Sequence, residues 1–268
     1  MRLALALGAV VLASCAGTGP NTAQRIDALL PADVILLGEQ HDAPEHQRIE
    51  RDVVRSLAAR GVLAAVAIEM AEQGNTTTGL APGASEAQVQ AALHWRSAGW
   101  PWAAYAPVVM AAVRAGVPVL GANLPRSQMA GAMADQSLDR QLPGPALKAQ
   151  QQEIRIGHCG LLPENQISPM TRIQVARDRA MAQTVAGAHQ SGQTVLLIAG
   201  AGHVRRGLGV PVYLPADLTL KVVVAQAGQG QSAIDSGADA VWKTAALPLK
   251  DPCAELQRTL QATPPPPR

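Results

Sequence analysis

Val34-Ile35-Leu36-Leu37-Gly38-Glu39-Gln40-His41 is the stretch on which the fold turns. An unbroken run of branched apolar residues describes a strand covered on both faces, and the glycine after it permits a tight turn. Asp42-Ala43-Pro44-Glu45 then opens a helix in a capping-box pattern, with Ile49, Val53 and Leu57 on one stripe and Gly61 as its stop. Next comes Leu63-Ala64-Ala65-Val66-Ala67-Ile68, a second buried run that delivers Glu69. Strand, helix and strand in this order make a βαβ unit, whose two strands run parallel. The fold class is therefore α/β, a mostly parallel sheet flanked by helices.

Working outward, residues 71–88 are rich in Gly, Thr, Ser and Ala and are expected to form a loop. A helix is expected over 104–115, a strand over 117–120 and a long helix over 168–189. The sheet resumes at 194–198, 212–214, 220–224 and 240–242. Residues 127–165 have helical patterning broken by Pro143, Pro145, Gly157 and Gly160. They divide the chain into an α/β domain of residues 33–126 and 166–253 and a smaller inserted helical domain. Residues 254–268 form a tail ending in a proline run.

The N-terminus sets the compartment. Arg2 precedes an uncharged apolar run over residues 3–14, too short to span a bilayer permanently, which is the pattern of a signal peptide of residues 1–14. The run closes on Leu12-Ala13-Ser14-Cys15, which resembles a lipobox, so Cys15 is expected to be the lipidated first residue of the mature chain, with 15–32 as a linker. Ala16, which is not Asp, favours the outer membrane by resemblance to sorting rules, and the protein is expected there, facing the periplasm. The whole chain has 22 basic and 20 acidic side chains, and losing Arg2 brings the net charge from +2 to +1. Such a balance recruits no nucleic acid. With Cys15 lipidated, Cys159 and Cys253 remain, either as a disulfide or as two free thiols.

Two strands end in one small pattern: Gly38-Glu39-Gln40-His41, and Gly200-Ala201-Gly202-His203. Residues beyond the carboxyl ends of parallel strands gather at one edge, so Glu39, His41, Glu69 and His203 are expected to converge. His46 falls on the apolar stripe of its helix and is expected in the core. Among four Trp, two Tyr and no Phe, Trp95, Trp100, Trp102 and Tyr105 crowd into one short segment, suited to a flat apolar ligand or to a local core. Gly157-His158-Cys159-Gly160 holds a His and a Cys between glycines, too few ligands for zinc by itself.

Taken in order, GEQHDAPEHQR, the strand ending in IEM, W…YAPV, ANLPR, GHCGLLPE, the segment around Met170-Thr171-Arg172, AGAGHVRRGLGVPVYL and AVWKTA resemble the ChaN-like haem-binding uptake lipoproteins of the Tiki superfamily. The resemblance runs from about residue 33 to about residue 253. It implies a haem-binding protein of haem or iron uptake rather than an enzyme, a homodimer, and an outer-membrane haem receptor as a further partner. It also implies a phenolate ligand to the haem iron, which only Tyr105 or Tyr213 can supply. Tyr105 with His158 is the expected ligand pair, Met170, Met129, Met133 and Leu161 suit the ring, and Arg126 and Arg172 suit the propionates. The rival is a metal-dependent hydrolase in which His41, Glu69 and His203 hold the metal, since relatives across the superfamily keep two Gly-x-x-His motifs and a Glu.

Overall fold

The computed structural model of the chain describes residues 21–229 and 237–262. The segment expected to be a signal peptide, Cys15 and the proline run lie outside these residues.

Six parallel strands form one sheet. They are β1 (Val34–Glu39), β2 (Leu63–Glu72), β3 (Val119–Asn123), β4 (Thr194–Gly200), β5 (Leu220–Ala227) and β6 (Ala240–Thr244), in the spatial order β3-β2-β4-β1-β5-β6. Alternate residues of β1 face opposite cores: Ile35 and Leu37 join one apolar cluster, Val34 and Leu36 the other. Both faces are thus covered, which is why the strand sequence shows no polar alternation. α1 (Thr22–Asp27), α2 (Pro44–Ala59) and α4 (Trp102–Arg114) cover the first face through Ile26, Leu57, Val109 and Val113. α7 (Glu164–Gly187) covers the second through Met181, Ala182 and Val185.

The helices between β3 and α7 are α5 (Met129–Ala134) and α6 (Gly144–Gly157). Leu124, Ala132, Leu138, Leu142 and Val175 close a third, smaller apolar cluster between this segment and α7. α8 (Pro252–Ala262) ends the described chain, and Cys253 in it is disulfide-bonded to Cys159. Among the described residues, no helix is long and apolar enough to cross a membrane.

Three expectations need correction. Residues 212–214 are not a strand: Val210–Tyr213 is a 3-10 turn, because Pro211 lacks the backbone donor that a ladder requires. The third strand begins at Val119 rather than at 117, after Pro118. The expected loop also contains α3 (Glu86–Ala92), whose start is a capping box in which Ser85 and Gln88 exchange hydrogen bonds.

Candidate functional site

The chain leaving β2 goes outward to β3, whereas the chain leaving β4 crosses to the other side of β1 to reach β5. Neighbouring strands whose connections diverge open a crevice at their carboxyl ends. Glu39 ends β1, His41 lies in the turn after it, Glu69 comes from β2 where its pairing register shifts, and His203 follows β4. The structure brings all four together.

They form one row. Glu39 Oε1 accepts from His41 Nδ1 at 2.8 Å and from the Tyr105 hydroxyl at 2.8 Å, and its Oε2 accepts from Gln47 Nε2 at 2.7 Å. The other ring nitrogen of His41 lies 3.7 Å from Glu69 Oε2, which also accepts the Gly200 backbone N–H at 2.8 Å. His203 spans the far side, with Nε2 3.4 Å from Glu69 Oε1 and Nδ1 2.5 Å from Asp178 Oδ1. His41 comes close to the β4 end here, and a Cβ on Gly200 would stand 2.8 Å from His41 Nε2.

Burial would lower His203, but the flanking carboxylates of Glu69 and Asp178 overcome it and hold the imidazolium up to about 10. Burial would raise Glu69, yet the charge and hydrogen bond of His203, with help from His41, bring it down to about 2. Asp178 shows the reverse balance: burial prevails over His203 and lifts it to about 6. Burial would likewise raise Glu39, but hydrogen bonds from His41, Glu50 and Tyr105 hold it below the usual carboxylate range. Glu50 is 1 % exposed and neither of its oxygens accepts a hydrogen bond. Burial, then the charge of Glu39, pushes its pKa well up.

The residues of the metal expectation, His41, Glu69 and His203, thus stand side by side with a carboxylate beside each ring nitrogen of His203, and among the described residues no group of three His, Cys, Asp or Glu side chains is arranged to hold an ion. The row is a charge-compensated polar network that ties three strand ends to α7.

Tyr105, the expected iron ligand, is 3 % exposed and donates its hydroxyl to Glu39, and burial together with the charges of Glu39, Glu50 and Glu69 raises its pKa. Tyr213 is half-buried with a hydroxyl that finds no partner, and burial followed by the Asp178 charge raises it as well. Arg172 is held in a two-pronged pair by Asp139 and also donates to the Met133 carbonyl, so it is not free for a propionate. Met170 is half-buried on α7. His46 is a satisfied core residue between the Gln40 N–H and the Thr244 hydroxyl.

His158 caps α6, with Nδ1 2.8 Å from the Ile154 carbonyl. Its turn reaches the same edge of the sheet. Glu153 on α6 pairs with Arg205, two residues past His203, and Cys159 is bonded to Cys253, three residues past Lys250, which pairs with Asp42 beside His41. The crevice holds a cavity of about 210 Å³ against Glu69, Trp100, Asn123 and Met129, rimmed by Arg96, Arg126 and Arg177. Trp100 stacks edge-on against His41 at 4.7 Å between ring centroids.

The sequence pattern missed Asp178, Glu50, Arg96 and Arg177. Asp178 had a readable signal, because it falls on the buried stripe of Val175, Met181, Ala182 and Val185 in α7. Glu50 had one too, lying between His46 and Val53 on the buried side of α2. Arg96 and Arg177 carried none, since an arginine on a loop or helix is ordinarily a solvated charge.

Residues 25–214 match the family described as haem-binding uptake, Tiki superfamily, ChaN. The chain belongs to this family. Among solved structures, the one described as cofacial heme binding to ChaN of Campylobacter jejuni is 27 % identical, covers 78 % of this chain and 87 % of its own, and superposes with a TM-score of 0.66. The type III effector HopBA1 is 16 % identical over 84 % of this chain and 94 % of its own, with a TM-score of 0.50, a likeness of fold alone. No curated protein sequence matches the chain. In this ChaN-family chain, then, the two Gly-x-x-His turns build the polar row, while the cavity beside it leaves its arginines without a carboxylate partner among the described residues.

Proposed function

We propose that this protein binds haem in the cleft between the carboxyl edge of its sheet and the helices that follow β3, and that it serves haem or iron uptake as a lipoprotein. The family match over residues 25–214 carries the reading, and the haem-binding Campylobacter protein supports it. The residues present fit the group. Arg177 Nε is buried with no acceptor in the protein, Arg96 and Arg126 stand at the same rim, and Trp100 and Met129 offer apolar surface beside them.

When bound, haem would supply a ferric iron and an anionic propionate edge. The side chain we assign to the iron is His158. A carbonyl can only accept, so Nδ1 carries a ring hydrogen toward Ile154, which leaves Nε2 as the nitrogen that would face the iron. A metal-binding histidine commonly has this second hydrogen bond, which fixes its tautomer and aim. The Cys159–Cys253 bond holds the turn that presents it.

A cavity of about 210 Å³ is smaller than those that enclose even drug-sized ligands, roughly 300–1,000 Å³. A haem seated by its edge therefore leaves ring surface outside, and a second copy of the chain is the cover that a homodimer supplies. Cys15 carries the lipid that holds the protein to the outer membrane on the periplasmic side, where a haem receptor is the partner that exchanges haem with it. The LASC sequence and a disulfide, which persists in an oxidising compartment, support that placement.

The test is titration of the purified chain with ferric haem. A saturable Soret shift that His158→Ala alters is expected, and absence of any Soret shift refutes the proposal. Cys15→Ser is expected to release the protein from membranes, and unchanged fractionation refutes the anchor.

A further inference from the structure

Three guanidinium groups rim one cavity, and none of them is within ion-pair distance of a carboxylate among the described residues. Arg96 lies on the loop before α4, Arg126 opens the 3-10 turn after β3, and Arg177 is on α7, so three separate elements converge. Other arginines of the chain are engaged: Arg172 with Asp139, Arg205 with Glu153, Arg206 with Asp239 and Arg155 with Glu164. Two carboxylates share the cavity wall. Glu69 is compensated by His203, which leaves Glu72 alone against the three positive charges. A buried donor without an acceptor costs more than a typical hydrogen bond gains, and Arg177 Nε is one such donor. Asn123 Oδ1, in the same wall, is a buried acceptor without a donor.

We infer that Arg96, Arg126 and Arg177 form a carboxylate cradle, and that it receives the propionate edge of haem. The inference rests on the haem reading above. The planar guanidinium fork matches a carboxylate in two-pronged geometry, and charge-assisted bonds of this kind are the strong ones. Trp100 and Met129 beside the cradle continue it as apolar surface, so the pocket suits a flat apolar body with an anionic edge. Among the described residues no carboxylate is paired with any of these arginines, although Glu72 shares their wall.

The experiment compares ferric haem with its dimethyl ester, which keeps the ring and iron but removes the propionate charge. Arg126 is exposed, so Arg126→Gln and Arg96→Gln leave the core intact, and Arg177→Lys keeps the charge while removing the fork. Each Gln variant is expected to weaken haem binding about tenfold or more, and to leave the already weaker binding of the ester unchanged. Equal affinity for haem and ester, or Gln variants that bind haem like the parent, overturns the cradle while the haem reading stands. If no haem binds at all, the haem reading falls and succinate, followed by Trp fluorescence, decides the cradle. Saturable quenching lost in Arg126→Gln supports it, and no quenching overturns it.

Discussion

His203 is the residue whose charge the fold has fixed most firmly, and the pH dependence of stability should report it. Its side chain is 8 % exposed between Glu69 and Asp178, and its folded pKa of about 10 stands above the ordinary 6.5. A raised folded pKa means stability that is fully present below pH 6.5 and lost as pH rises through about 10. The difference of about 3.5 pH units corresponds to about 5 kcal/mol at 1.36 kcal/mol per unit, an upper bound for this site. Removing one partner of a buried ionic group costs about 3–5 kcal/mol, so His203→Gln should be that much less stable than the parent at pH 7. By pH 10.5 the parent's histidine is neutral too, and the gap should shrink to about 1 kcal/mol. In the parent, Glu69 and Asp178, at about 2 and about 6, titrate below this window. The assay is denaturant unfolding of both proteins at several values between pH 7 and pH 10.5. A gap that stays constant across that range, or a His203 imidazole that titrates near pH 6.5 by NMR, would refute the argument.

Two glycines should answer the same substitution differently. A Cβ on Gly121 would stand 2.1 Å from the Glu72 carbonyl oxygen, which is backbone in a strand, so Gly121→Ala should cost several kcal/mol and lower Tm steeply. On Gly200 the nearest atom is the far end of His41, half-exposed and able to swing, so Gly200→Ala should cost under about 1 kcal/mol while changing the His41 titration. Tyr105→Phe removes a hydrogen bond to a buried carboxylate and should cost about 1.5–3 kcal/mol in unfolding free energy, with the ferric haem spectrum unchanged; a lost charge-transfer band would restore Tyr105 as an iron ligand. Cys159→Ser with Cys253→Ser opens a loop of 94 residues, worth about 2–4 kcal/mol, and equal melting of parent and variant would show that the bond contributes nothing to stability.

The sequence alone located the six strands and their direction, while wrongly adding one at 212–214. Runs such as 34–37, 63–68 and 194–198 have no polar alternation because helices cover both of their faces, and that requirement is written locally in every residue. It also placed Glu39, His41, Glu69 and His203 at one edge, since each follows a parallel strand whose end is fixed by the pattern. Spacing could not tell that a fifth member, Asp178, arrives from a helix remote in the chain and pairs with His203. Nor could it tell that Tyr105 spends its hydroxyl on Glu39, or that Arg172 is taken by Asp139 while Arg96 and Arg177 are left without a carboxylate. Strand identity follows from neighbours in sequence. Protonation state and the freedom of a charged side chain follow from neighbours in space, and only the tertiary structure decides those.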